Sequence, residues 1–206
     1  MKFLELFSGT QSVSNVAREL GFEVVSLDRD MEADIKTDIM DWNYREYEPK
    51  HFDVIWASPP CTEYSIAKTT GCRDLVLANS IVKRTLEIIE YFEPTYWLLE
   101  NPQTGLLKKQ DFMFNLSYND VDYCKYLMPY RKRTRLWNNL NNWTPRPLCK
   151  KDCGSMNGNR HMQTAQRMPS GRREDWVGHQ FTREELYRVP VELVKEILES
   201  ITLNIA

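Results

Sequence analysis

The sequence predicts an α/β protein built on a doubly wound, mostly parallel sheet. Two observations carry this. Short apolar runs alternate with helical patterns through the first half of the chain, and those runs are almost continuously apolar, as strands covered on both faces must be. A third supports it: the chemically suggestive residues stand directly after the runs, where open parallel sheets bind their ligands.

"KFLELF" (2–7) reads as the first strand, and "SVSNVAREL" (12–20) as a helix with Val13, Val16, Ala17 and Leu20 at helical spacing, closed by Gly21. "EVVSLD" (23–28) is the second strand, and "FDVIWA" (52–57) is the third, running into Pro59 and Pro60. An amphipathic helix over residues 74–92 leads to a fourth strand, "YWLLEN" (96–101). Two more strands are expected at "VDYCKYLMP" (121–129) and "RTRLWNN" (133–139). Residues 138–173, rich in Asn, Pro, Gly and Arg, read as loops or a small excursion from the sheet. In segment 181–201, Thr182 and Glu185 make a capping box, and Val191, Val194, Ile197, Leu198 and Ile201 form a core-facing helical stripe.

With 206 residues, 42% of them hydrophobic, the chain can bury one ordinary core. No basic leader precedes a long apolar run, and no stretch of ~18 apolar residues occurs, so no membrane-spanning helix is expected. An intracellular setting is expected, in cytoplasm, nucleoid or nucleus. Five scattered cysteines (61, 72, 124, 149 and 153) argue for reduced thiols rather than a disulfide framework. The net charge of −2 conceals a strong polarisation: residues 125–173 hold twelve Lys/Arg and one acidic residue, Asp152, against 15 basic and 28 acidic residues elsewhere. Such a basic segment on an acidic body is the footprint of a polyanion-binding face. Arg131, Lys132, Lys150, Lys151, Arg172 and Arg173 are the candidate phosphate contacts.

Ser8 and Gly9 follow the first strand, with backbone amides available to a ligand, and Asp28 follows the second at the distance expected for a carboxylate that takes ribose hydroxyls. Gln11 stands where a glycine-rich loop would carry its second glycine, and Asp38 is a candidate for an adenine amino group. Cys61 ends the third strand, and Glu100 and Asn101 end the fourth. A lone cysteine is more often a buried small hydrophobe than a nucleophile. Here it shares a sheet edge with a carboxyl able to protonate a ring nitrogen, and with Arg133 and Arg135, two apart in a strand and expected to point the same way. Those arginines are expected to hold an anionic or carbonyl-bearing substrate and to depress the thiol pKa.

Four motifs then stand in order: Phe7 and Gly9, Pro60-Cys61-Thr62-Glu63-Tyr64-Ser65, Glu100-Asn101-Pro102, and Arg131-Lys132-Arg133-Thr134-Arg135. With them the chain resembles the S-adenosylmethionine-dependent cytosine carbon-5 methyltransferases from residue 3 to about 137, with a weaker echo at 187–201. The resemblance implies a Rossmann-like catalytic domain over 1–140 plus 181–206, and a small basic target-recognition region over 141–180. It implies that Cys61 adds to carbon 6 of a flipped cytosine while Glu100 engages ring nitrogen 3. Arg135 would contact the base carbonyl and Arg133 would steady the adduct. S-adenosyl-L-methionine would be held by Phe7, Ser8, Gly9, Asp28, Asp38 and Pro59, with Ser65 on the nucleic-acid side. The implied partner is DNA, with RNA or a target-recognition subunit as alternatives. Leu186-Tyr187-Arg188 replace the family's Gly-Asn before Val189-Pro190, and the short recognition region implies loose sequence specificity dominated by phosphate contacts.

Two rival functions compete with this resemblance. Amino-methyltransferases of DNA need an aromatic residue after the Pro-Pro pair, where Cys61 stands, and an acidic or amide residue before it, where Ser58 stands. A non-catalytic nucleic-acid-binding subunit is the non-enzyme alternative, motivated by Gln11. Cys149, Cys153 and His161 could ligate zinc, with a fourth ligand sought among Cys72, Cys124 and His179. Their spacing selects none of these, and the expectation is ordinary thiols with no metal.

Overall fold

The computed structural model describes residues 1–165 and 181–203. Seven strands form the main sheet: β1 (Lys2–Leu6), β2 (Glu23–Asp28), β3 (Ile35–Lys36), β4 (Val54–Ala57), β5 (Tyr96–Pro102), β6 (Tyr118–Asp122) and β7 (Arg133–Asn138). A two-stranded hairpin, β8 (Met156–Asn157) and β9 (Arg160–His161), stands apart from it. The sheet order is β3-β2-β1-β4-β5-β7-β6, parallel from β3 to β5 and antiparallel on both sides of β7. The described helices are α1 (Ser12–Glu19), α2 (Leu75–Phe92), α3 (Arg183–Tyr187) and α4 (Val191–Thr202). Strand order reverses between β1 and β4, which opens a crevice at their carboxyl ends.

Alternation along β1 divides the core. Phe3 joins Val54 and Trp56 of β4 and the α1 and α4 side chains on one face, where Val194, Ile197, Leu198 and Ile201 are buried. Leu4 and Leu6 face the other way, against Ile88, Ile89 and Phe92 of α2. Helix α1 ends as read: Gly21, at φ 83°, lets the Gly21 and Phe22 N–H groups donate to Arg18 and Ala17 carbonyls. Asp74 caps α2, accepting the Leu77 N–H at 2.9 Å. The capping box of Thr182 and Glu185 opens α3.

The structure corrects three element boundaries. The strand expected over 121–129 lies earlier, at Tyr118–Asp122, and gives way to a 3-10 turn at Tyr123–Tyr126. Buried Tyr123, Cys124 and Tyr126 have the spacing of one tight turn, not the alternation of a strand. Segment 181–201 is two helices, because Arg188 and Pro190 are extended and Pro190 supplies no N–H to continue α3. Residues 138–173 contain the β8–β9 hairpin, whose turn carries Gly158 at φ 57°. Among the described residues, no helix is long and apolar enough to cross a membrane.

Candidate active site

At the strand reversal lies a cavity of about 360 Å³, lined by the expected cofactor residues Phe7, Ser8, Gly9, Asp28, Asp38 and Pro59, and also by Cys61 and Glu100. The loop after β1 turns through three left-handed residues, Phe7 (φ 61°), Gly9 (φ 49°) and Gln11 (φ 55°). Gln11 adopts the conformation a glycine would take freely, at a cost of about 1 kcal/mol. Its side chain offsets this by donating to the Glu32 carbonyl at 2.9 Å and accepting from Arg18 at 2.8 Å. Asp28 braces the same turn: it accepts the Gly9 N–H at 2.8 Å and the Asp30 and Met31 N–H groups at 2.9 and 2.8 Å.

The cavity suits a cationic nucleoside. The Ser8 hydroxyl is buried with no protein partner, leaving a polar atom for a ligand. Asp28, Asp38 and Glu5 supply carboxyl groups along the wall. S-adenosylmethionine, with its sulfonium and ammonium charges and its ribose hydroxyls, fits that donor set. Glu5, not anticipated from sequence, is 2% exposed and held by the Ser14 N–H (2.8 Å) and hydroxyl. Burial pushes its carboxyl up to about 7, against the opposing Ser14 hydrogen bonds. Tyr187 and Val189 also line the cavity, and the Val189 N–H donates to Ser12 at 3.0 Å. The last motif therefore reaches the same cavity even without Gly-Asn.

Cys61 stands just beyond β4, half-buried. Arg73 ties its loop together by donating to the carbonyls of Glu63, Ser65 and Lys68 at 2.6–2.9 Å. The Asn101 amide donates to the Pro59 carbonyl at 2.9 Å and fixes the Pro-Pro wall. Burial pushes the Cys61 thiol up, Lys132 pulls it down, and Glu100 raises it again. Glu100 is 7% exposed and accepts from the Tyr123 hydroxyl at 3.0 Å, with Lys132 Nζ at 3.8 Å.

The cation beside Cys61 and Glu100 is thus Lys132, and the expectation for Arg133 and Arg135 is corrected. Glu100 pairs across the sheet with Leu136 and Asn101 with Arg135, so the arginines occupy the sheet face opposite Glu100. There Arg133 pairs with Asp122 (2.7 Å) and Arg135 with Asp120 (2.8 Å), each through two hydrogen bonds. Neither lines the cavity. Lys132, expected as a phosphate contact, is drawn inward by Glu100, the Leu186 carbonyl and the Tyr123 ring.

Of the remaining candidates, Arg131, Lys150 and Lys151 are exposed, as a phosphate-binding face requires. Ser65 accepts the Ala67 N–H and lies outside the cavity lining. Arg172, Arg173 and His179 lie outside the described residues. Cys149, Cys153 and His161 come together, with Cys124 as the fourth group, while Cys72 is exposed elsewhere.

Comparison with known proteins agrees with this geometry. The family model for C-5 cytosine-specific DNA methylase matches residues 1–131. A Frog virus 3 (isolate Goorha) protein named "Probable DNA (cytosine-5)-methyltransferase" is 33% identical over 221 aligned positions, covering 97% of this chain and 99% of its own. Among solved structures, a "putative DNA modification methyltransferase" from an E. coli prophage aligns at TM-score 0.55 and 17% identity, over 72% of this chain. This chain spans about half of that one, 52%, and the likeness bears on the fold alone. Taken with the Frog virus 3 relative, whose length it matches almost throughout, the chain belongs to the C-5 cytosine-specific DNA methylase family of S-adenosylmethionine-dependent enzymes.

Proposed function

We propose that Cys61 is the covalent nucleophile of a DNA cytosine-5 methyltransferase, with Glu100 as the acid at the ring nitrogen and Lys132 as the charge that tunes the thiol. The observation that carries this is one shared cavity: Cys61, Glu100 and Lys132 stand at one part of its wall, and the Gly9–Asp28 turn at another. A cytosine swung out of the duplex enters the Cys61 end. The sulfur bonds to carbon 6 as Glu100 hands a proton to nitrogen 3, so charge does not accumulate on the ring. Carbon 5 is then nucleophilic. S-adenosylmethionine, when bound by Ser8, Gly9, Asp28 and Asp38, supplies the electrophilic methyl group. Loss of the carbon-5 proton to water restores the carbon 5–carbon 6 double bond and expels the Cys61 sulfur as thiolate, while nitrogen 3 returns its proton to Glu100.

Tyr123 orients Glu100 through its 3.0 Å hydrogen bond, and Lys132 opposes the burial that keeps the thiol protonated. Arg131, Lys150 and Lys151 hold the DNA backbone from outside the cavity. Incubating the chain and S-adenosylmethionine with duplex DNA containing 5-fluorocytosine tests the reading. A denaturation-resistant adduct is expected, absent from Cys61→Ala and absent without the methyl donor. An adduct surviving in Cys61→Ala, or none from folded protein that binds S-adenosylmethionine, overturns it. A parallel RNA substrate and the use of the chain alone decide whether RNA or a partner subunit has a part.

A further inference from the structure

We propose that Cys124, Cys149, Cys153 and His161 bind one structural zinc ion that fastens the basic hairpin segment to the catalytic sheet. The four residues come from three separate stretches: the 3-10 turn after β6, the loop at 149–153, and strand β9. Their ligand atoms nevertheless all lie within 4.8 Å of one another, with Cys149 Sγ and His161 Nε2 3.5 Å apart. A tetrahedral zinc with Zn–S bonds of about 2.3 Å spaces its sulfurs about 3.8 Å apart, so the cluster needs only a small contraction. Among the described residues it is the one group of this kind.

The surrounding segment needs such a clasp. From residue 144 to 165 a single residue is buried, and it is Cys149. A stretch without an apolar core of its own holds a fixed shape only when something else links it to the body, and metal binding is the usual substitute. Hydrogen bonding around the sulfurs fits thiolate ligands. The Lys151 N–H donates to Cys149 Sγ at 3.3 Å from a left-handed turn (φ 69°), and Lys125 lies beside the cluster, paired with Asp152 at 3.0 Å. Three sulfurs and an imidazole select zinc over magnesium or calcium, and four protein ligands leave no open position for catalysis. A single disulfide would leave one thiol and His161 without a role.

The clasp meets the catalytic sheet at two points, one of them next to the active site. Cys149 donates its N–H to Asp122 at 2.9 Å, the carboxylate that holds Arg133. Cys124 follows Tyr123 in the chain, and Tyr123 orients Glu100. Zinc therefore fixes Lys150, Lys151 and Arg160 on the outside while holding the turn that carries Tyr123.

The test is elemental analysis of the full chain purified without chelator, together with thiol counting. One zinc per chain is expected, with three of the five thiols protected from a thiol reagent until a chelator is added. Cobalt(II) refolded into the chain should give the visible bands of a tetrahedral thiolate site. Cys153→Ser and His161→Ala should lose stoichiometric metal, and Cys72→Ser should retain it. Should the variants fail to fold, metal content, thiol protection and the cobalt spectrum of the unaltered chain still decide. Folded protein without metal, with five freely reacting thiols or a disulfide within the cluster, overturns the proposal.

Discussion

Replacing Glu5 by Gln should change how stability depends on pH, because this carboxyl is buried in the cavity wall, and its Ser14 hydrogen bonds and the Arg18 charge only partly offset that burial. Its folded value is about 7, against 4.5 for the exposed group, with burial as the dominant cause. The sign follows from the raised folded value. Below the unfolded value both states are protonated and the group costs nothing. As pH climbs toward about 7, the unfolded chain ionises while the folded one resists, and stability is lost across that window. Above it the loss is constant. A displacement of this size corresponds to about 3 kcal/mol, an order-of-magnitude figure.

Urea unfolding of the wild type and Glu5→Gln at about pH 5 and about pH 8 isolates the effect, since every other group titrates alike in both chains. The wild type should lose about 2 to 3 kcal/mol relative to Glu5→Gln over that interval. A difference that stays flat within about 0.5 kcal/mol, or that grows in favour of the wild type, refutes the reasoning. The same carboxyl lines the cofactor cavity, so a cationic ligand there favours its ionised form. Affinity for S-adenosylmethionine should accordingly rise with pH through about 7 more steeply in the wild type than in Glu5→Gln.

Lys132→Met should shift the pH profile of Cys61 alkylation further upward, because it removes the charge that opposes burial, and should lower kcat by about a hundredfold. Alkylation unchanged in pH midpoint would show that another cation serves Cys61. DNA affinity should fall about a thousandfold or more between about 50 and about 200 mM salt if at least six phosphates are contacted. Replacing both Lys150 and Lys151 by Ala should flatten the log–log slope by about 1.8; a slope that does not change removes them from the interface.

The parallel half of the sheet was legible because its strands are nearly continuous apolar runs, and runs buried on both faces leave few other readings. Ligand-bearing strand ends follow from that topology, which is why all six expected cofactor residues meet at one cavity. The cysteine cluster was only half legible. Spacing relates Cys149, Cys153 and His161, but Cys124 is 25 positions before Cys149 and becomes their neighbour only because a 3-10 turn replaces the expected strand end. Glu5 was missed for a similar reason: an acidic residue in "KFLELF" looks like the polar side of a strand until α1 covers that face.

The arginine motif shows where sequence reasoning must stop and register must enter. In "RKRTR" every second side chain shares a face, so the motif offers two sets, Arg131, Arg133 and Arg135 or Lys132 and Thr134. Nothing in the five residues says which set faces Glu100. The antiparallel pairing of β5 with β7 decides it: Leu136 lies opposite Glu100, so the even-numbered set shares its face. Charge then completes the sorting. Asp120 and Asp122 on β6 neutralise the two arginines on the far face, and Lys132 is left as the cation beside Glu100. A slip of one residue in that ladder would exchange the sets. Lys132→Arg therefore discriminates between charge and shape: if charge at this position is what tunes Cys61, the arginine variant keeps the thiol's alkylation profile while Lys132→Met loses it.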